Sequence, residues 1–275
     1  FFDVYGSFNI NKFRITDEKL RKYSKKIFQI DLIKGNNSIV NLFNIIKPSI
    51  IINFTGISNR NSNNNHFINT NIVKNILKTV KLSNINLEHF YNIGSCEEYS
   101  SSTTALNELS KSYSDNLYGA HKIKIHKYCL RNFRKNNINY TNLRTFNIIG
   151  RDKFKKNILQ YFIENSNKKK LVLNSPYNIR DFMWINDYNL CLHNILKKNK
   201  KNYPAINIGS GKPHSIEDLI RLINNNNKFK NKKIIYKFTK KLSKYNIKFA
   251  NNKRLNQFIN KKQFIGIDGI VDELI

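Results

Sequence analysis

An α/β fold carried by a parallel β-sheet is predicted from three observations. Short apolar runs alternate with stretches of helical periodicity, the pattern of repeated βαβ units. One run, Ile50-Ile51-Ile52-Asn53-Phe54, is apolar on both faces and reads as a central parallel strand. A serine-bearing strand end, Ile93-Gly94-Ser95, lies a short way ahead of Tyr118-Gly119-Ala120-His121-Lys122.

Taken in order, Val4-Tyr5-Gly6 and Ile27–Leu32 read as strands flanking an irregular connection, and Ile50–Phe54 follows Lys47-Pro48. Ile68, Ile72, Val73, Ile76, Leu77 and Val80 form one helical stripe. A strand near His89–Ile93 leads to Ser95, a helix is expected over 118–133, and Asn142–Phe146 reads as the next strand. The texture changes from about Gly150: an amphipathic segment carries Ile158 and Phe162, Leu171-Val172-Leu173 is a short strand, and Gly-Ser-Gly and Lys-Pro separate 206–209 from the tail beginning at 215. The Asn/Lys-rich stretches Asn61–Asn65 and Asn224–Lys233 read as loops. The expected organisation is a main domain over 1–148, with segments near 183–209 returning to it, and a smaller lobe drawn mainly from 149–275.

The chain has 275 residues and a formal net charge of +30. Lysine far outnumbers arginine and is scattered among Asn and Ile, with no zinc-finger spacing or aromatic ribonucleoprotein motif, so no specific nucleic-acid partner is expected. Cys96, Cys129 and Cys191 have no metal-ligand spacing and are odd in number, which predicts neither a metal site nor a disulfide framework and fits a reducing cytoplasm. No apolar run reaches the length of a membrane span, and no membrane partner is expected.

On a helix over 118–133, Tyr118 and Lys122 lie one turn apart on the same face. A lysine ammonium beside a phenol favours the phenolate, which makes the tyrosine a usable base nearer neutral pH. The hydroxyl of Ser95 on a neighbouring strand can hold the substrate oxygen whose proton is removed. Such a set suits hydride chemistry at a carbinol carbon with a nicotinamide as acceptor. The plainer structural readings are a core aromatic for Tyr118, a solvated helix face for Lys122, a strand terminator for Ser95, a solvated loop carboxylate for Glu97 and a small buried filler for Cys96. Arg180 is open to pairing with Asp181 or Asp187, or to holding a diphosphate in its guanidinium fork.

Further segments fall in a fixed order. Val4-Tyr5-Gly6 and Ile30-Asp31-Leu32 stand at strand ends, and Ile52-Asn53-Phe54-Thr55-Gly56 ends in two small residues. Asn69–Leu77 is a helix with an internal Asn, followed by Ile93-Gly94-Ser95-Cys96-Glu97-Glu98-Tyr99 and Tyr118–Lys122. Leu143-Arg144-Thr145-Phe146-Asn147-Ile148-Ile149-Gly150 comes next, then Arg180-Asp181-Phe182 with Ile185-x-Asp187, then Asn207-Ile208-Gly209-Ser210-Gly211. Together they resemble the extended short-chain dehydrogenase/reductases, in the branch of NAD(P)-dependent sugar-nucleotide epimerases and dehydratases, along essentially the whole chain.

The resemblance implies a Rossmann-like doubly wound parallel sheet with a smaller C-terminal substrate-binding lobe, NAD or NADP as cofactor, a nucleoside-diphosphate sugar as substrate, and a homodimer. It implies that Tyr118 removes the proton of the sugar 4-hydroxyl as hydride leaves C4, that Lys122 also holds the nicotinamide ribose, and that Ser95 hydrogen-bonds O4. Glu97 stands where dehydratases carry an acid/base group. Asp31, Leu32, Thr55, Gly56 and Phe146 would contact the cofactor, and Asn147, Asn157 and Arg180 the diphosphate. The activity implied is that of an epimerase or dehydratase; a reductase of 4-keto-6-deoxy sugars and a non-catalytic dinucleotide-binding regulator or defective fragment are the alternatives.

Several positions depart from the pattern. Cys96 replaces an Asp common in dehydratases, Ser100 a glycine, His121 a small residue and Arg151 a proline. Val4 falls where a second strand belongs, so the first strand and its glycine-rich loop, about twenty to thirty residues, are expected to be missing. The chain as it stands is then expected to bind NAD(P) poorly and to be inactive.

Overall fold

The structure is a computed structural model that describes residues 3–8, 24–35, 37–56, 64–151, 158–165, 171–173, 178–199, 201–229, 234–238, 246–259 and 264–275. Contacts divide the chain into two compact units, one of residues 1–91 and 127–140, the other of 92–126 and 141–275. No helix among the described residues is long and apolar enough to cross a membrane.

In the first unit, β1 (Tyr5–Phe8) and β2 (Lys26–Gln29) form a parallel pair, followed by α1 (Asn37–Ile46), β3 (Ile50–Asn53) and α2 (Asn64–Leu82). Strand β2 ends before the Leu32 expected from sequence. The Asp31 carboxylate accepts the Ile33 and Lys34 N–H groups at 2.9 and 3.3 Å, and this Asx turn bends the chain away from strand geometry. The helical stripe is confirmed, with Ile72, Val73, Ile76, Leu77 and Val80 buried. Helix α2 starts at Asn64, inside a stretch read from sequence as a loop.

Strands β4 (His89–Ser95) and β5 (Asn139–Thr145) and helix α3 (Leu117–Lys135) run from one unit into the other. The order of the four-stranded sheet is β3-β4-β5-β9, with β9 at Ala205–Ile208 and parallel to β5. Among the described residues β3 therefore stands at the end of this order, where the sequence pattern predicts a central strand. Apolar residues on both faces report cover above and below a strand; they carry no information about which strands flank it. Phe90 of β4, Tyr140 of β5 and Phe133 of α3 stack together, with Phe90 and Phe133 centroids 4.2 Å apart.

The remainder of the second unit is built around β8 (Ile179–Trp184). Its first half pairs with β10 (Pro213–Ser215) and with β12 (Ile247–Lys248), and its second half pairs in parallel with β6 (Asn147–Ile149). Helices α4 (Ile158–Glu164), α5 (Ile185–Lys198), α6 (Ile216–Asn225) and α7 (Gly266–Leu274) complete it, with a parallel pair of β7 (Leu171–Leu173) and β11 (Tyr236–Phe238).

Ser215 caps α6 reciprocally: its hydroxyl accepts the Asp218 N–H at 3.0 Å and its own N–H reaches the Asp218 carboxylate at 3.0 Å. One buried face, Ile216, Leu219, Ile220 and Ile223, then joins Phe162, Trp184, Ile270 and Val271 in a single apolar cluster. That face carries the helix through Asn224 and Asn225, which sequence assigned to a loop. The Asn224 amide there pairs with both backbone groups of Ile234, at 2.8 and 3.1 Å.

Two expectations follow. Leu219 is fully buried in this cluster, so Leu219→Ala should cost about 2–5 kcal/mol in urea unfolding. His89 is buried and stacked on Tyr91, and burial lowers its pKa from 6.5 to about 4. The unfolded chain binds a proton at the upper value that the folded chain refuses until the lower one, so stability should fall as pH drops through that window. His89→Phe should keep the stacking and flatten that dependence, as read from urea midpoints above and inside the window.

Candidate active site

At the end of β4 the chain is extended at Ser95 and then winds into one 3₁₀ turn, Cys96–Glu98. Ser95 caps this turn. Its hydroxyl oxygen accepts the Glu97 N–H at 3.1 Å, and its N–H reaches the Glu98 carboxylate at 3.0 Å. Glu98 is wholly buried, an arrangement that is tolerable only with a cationic partner and further hydrogen bonds. Arg144 Nε supplies the first at 2.9 Å and Asn142 Nδ2 the second at 2.9 and 3.0 Å. The guanidinium also donates to the Tyr99 hydroxyl at 2.8 Å and to Ser112 Oγ at 3.1 Å, and Tyr99 donates to Asn207 Oδ1 at 2.7 Å. Burial pushes the Cys96 thiol up to about 12, so this residue is a packed filler and no nucleophile at neutral pH.

Helix α3 starts hard against that turn. A Cβ on Gly119 would overlap the Glu97 carbonyl oxygen and the Ser114 hydroxyl, so glycine is what lets the helix seat there. Asn116 joins the two elements, because its Oδ1 accepts the Gly119 N–H at 2.9 Å and its Nδ2 donates to Glu97 Oε2 at 2.8 Å. Lys122 Nζ donates to the Ile93 carbonyl at 2.7 Å and lies 5.7 Å from the centroid of the Tyr118 ring. The serine strand end and the Tyr118–Lys122 helix are thus tied together at two places. Glu97 is not a solvated loop carboxylate: it is buried, and its Oε2 also accepts from Lys248 Nζ at 2.7 Å, a lysine with no exposed surface.

Asn147 donates through Nδ2 to the Asp181 carbonyl at 3.1 Å, and Phe146 is buried in a cluster with Cys96, Tyr99, Leu106 and Ala250. Arg180 donates through Nη1 to the carbonyls of Ile179 and Asn246. The neighbouring Asp181 is fully buried. Burial pushes its carboxyl pKa up, against hydrogen bonds from the Ser210 N–H and hydroxyl and the N–H groups of Gly211 and Ala250 at 2.6–3.0 Å. The Asp187 carboxylate accepts the Ile265 N–H at 3.3 Å. Asn157 lies outside the described residues.

In the first unit, Asn75 Nδ2 reaches the carbonyls of Leu32 and Ile33, both at 2.8 Å, and so fixes the turn that carries Asp31. Past β3, Asn53 Oδ1 accepts both the N–H and the hydroxyl of Thr55. Thr55 and Gly56 are exposed, and Gly56 has φ +152° with the Asn69 side chain 3.4 Å from where a Cβ would stand.

Sequence reasoning passed over Asn116, Glu98 and Lys248. Ser114-x-Asn116 is a helix-start composition directly ahead of Tyr118 and was legible as a cap. Nothing local announces Lys248, one lysine among many. Arg144→Met should destabilise the chain by about 3–5 kcal/mol in urea unfolding, because it leaves Glu98 as an unpaired buried charge. Arg144→Met with Glu98→Gln should recover much of that loss.

The structure resembles several solved ones. The UDP-glucuronic acid 4-epimerase of Bacillus cereus, in complex with UDP-glucuronic acid and NAD, is 18% identical with a TM-score of 0.80, the match covering 94% of this chain and 84% of that one. For the UDP-Glc/GlcNAc 4-epimerase of Campylobacter jejuni the identity is 17%, the TM-score 0.78 and the coverage 99% and 90%. For RMD of Pseudomonas aeruginosa, complexed with NADPH, the values are 16%, 0.75, 98% and 97%. These likenesses establish the α/β fold. Among curated proteins, none matches the sequence. The family model for NAD-dependent epimerases and dehydratases matches residues 8–209, and the chain belongs to that family.

Proposed function

We propose that the protein to which this sequence belongs oxidises or reduces C4 of a nucleoside-diphosphate hexose with NAD(P), using Tyr118 as acid/base and Ser95 as the hydrogen-bond donor to O4. The observation that carries this reading is the double tie between the Ser95 turn and α3, Asn116 to Glu97 and Lys122 to Ile93. Such a double tie restrains the two elements that carry the proposed base and donor, which supports the reading.

The residues present fit such a cofactor. Gly56, in the exposed segment that follows β3, carries no side chain, Asp31 and Leu32 sit in a turn fixed by Asn75, and Lys122 presents an ammonium beside Tyr118. When bound, the nicotinamide supplies the acceptor and donor of hydride at C4. Tyr118 takes the O4 proton as the alcohol becomes a ketone and returns it on reduction. A ketone oxygen can only accept hydrogen bonds. The Ser95 oxygen already accepts the Glu97 N–H, which leaves the Ser95 hydroxyl proton to be given to O4. Asn147, Asn157 and Arg180 are assigned to the diphosphate, where a guanidinium suits two adjacent phosphates.

Three outcomes share this step. Return of hydride to the opposite face gives the 4-epimer. Elimination of water before return gives a 4-keto-6-deoxy sugar and needs a second acid/base group, for which Glu97 is the candidate. A keto sugar as starting material gives reduction.

Tyr118→Phe should lower turnover on every accepted sugar nucleotide by roughly 10²–10⁴-fold. Calorimetric affinity for the nucleoside diphosphate should stay within a few-fold, because the diphosphate contacts are untouched. Wild-type turnover in Tyr118→Phe would remove the base assignment.

A further inference from the structure

We propose that Glu97 is a positioning residue, clamped between Lys248 and Asn116 and withheld from acid/base work, so that C4 chemistry in this chain ends in epimerisation or reduction and not in elimination. The proposal rests on the C4 reading given above.

The clamp is built from parts of the chain far apart in sequence. Lys248 Nζ meets Glu97 Oε2 at 2.7 Å, and the lysine side chain has no exposed surface. Its backbone is held in β12, where Ile247 and Lys248 stand in register with Ile179 and Arg180 of β8. The same Oε2 accepts from Asn116 Nδ2 at 2.8 Å, and Asn116 Oδ1 takes the Gly119 N–H on the first turn of the helix that carries Tyr118. A continuous series therefore runs from β12 through Glu97 and Asn116 to the residue beside Tyr118.

An eliminating acid/base group must be protonated and deprotonated within each turnover. Protonating Glu97 would leave Lys248 as a fully buried cation beside a neutral acid. It would also weaken the acceptor that orients Asn116, loosening the tie on α3 at the moment Tyr118 must be in place. A carboxylate whose charge holds the site together is poorly suited to surrender that charge during the reaction. As a strut, Glu97 remains ionised throughout and contributes by fixing the distance between the Ser95 turn and α3.

Glu97→Gln, Lys248→Met and the double variant test this in the full chain. Each single variant should lower the urea midpoint and reduce kcat on the order of 10–100-fold with KM within a few-fold, since a misplaced base affects the chemical step and spares binding. The double variant should regain most of both. With Lys248 replaced, no cation is left for the side chain at position 97 to neutralise, and the carbonyl of the introduced amide still accepts from Asn116. No 4-keto-6-deoxy product should form from a nucleoside-diphosphate hexose at any stage. Formation of that product by the parent chain, lost in Glu97→Gln and not restored in the double variant, would overturn the proposal. If neither parent nor variants turn over any sugar nucleotide although calorimetry shows that the parent binds NAD(P), the C4 reading fails separately. The clamp is then judged on stability alone: recovery in the double variant supports it, and additive losses overturn it.

Discussion

Glu98 has no contact with solvent, and the end of β4 is arranged to satisfy it. Its carboxylate gathers the Ser95 N–H, the Asn142 amide and the Arg144 guanidinium, and through Arg144 the network extends to Tyr99, Ser112 and Asn207. Removing any one donor would expose the cost of desolvating the charge. The 3₁₀ turn that sets Ser95 cannot drift while this network holds, and α3 is seated on that turn through Gly119.

Two consecutive glutamates thus serve the same turn with different cations. Glu98 takes Arg144 from the adjacent β5, and Glu97 takes Lys248 from β12 near the end of the chain. The first pair stabilises the strand end and the second links it to the helix start, with Asn116 as the intermediate. Placement of Tyr118 and Lys122 relative to Ser95 is therefore a consequence of buried charge in a confined space, more than of helix propensity. Asp181 plays a parallel part at the other strand system, where four donors from Ser210, Gly211 and Ala250 bind the Gly209 turn and the Ala250 segment to β8.

Local patterns were legible in the sequence. Helix α3, the apolar stripe of α2 and the Ser95 strand end follow from periodicity and from small-residue punctuation, signals spread over only a few neighbouring residues. Tyr118 and Lys122 share a face because one helical turn requires it, and the ammonium is found beside the ring. Legibility failed where the determining partner is distant. Lys248 is separated from Glu97 by 151 residues, and a chain with so many lysines gives no reason to single it out. The place of β3 in the sheet was misjudged for a related reason, since pairing is decided by backbone edges that the side-chain pattern does not encode. The extent of α6 was underestimated because asparagine-rich composition suggests a loop, whereas the buried face of the helix and the Asn224 pairing with Ile234 override it.

The central claim is that a bound nicotinamide and Tyr118 together interconvert alcohol and ketone at C4 of a sugar nucleotide. It is tested most directly by turnover of a nucleoside-diphosphate hexose carrying deuterium at C4. The expected result is a slowed reaction relative to the unlabelled sugar with none of the deuterium lost to solvent, because hydride chemistry at C4 would not exchange the label with water. Loss of the deuterium to solvent would mean that a proton is abstracted from carbon instead, and would contradict it.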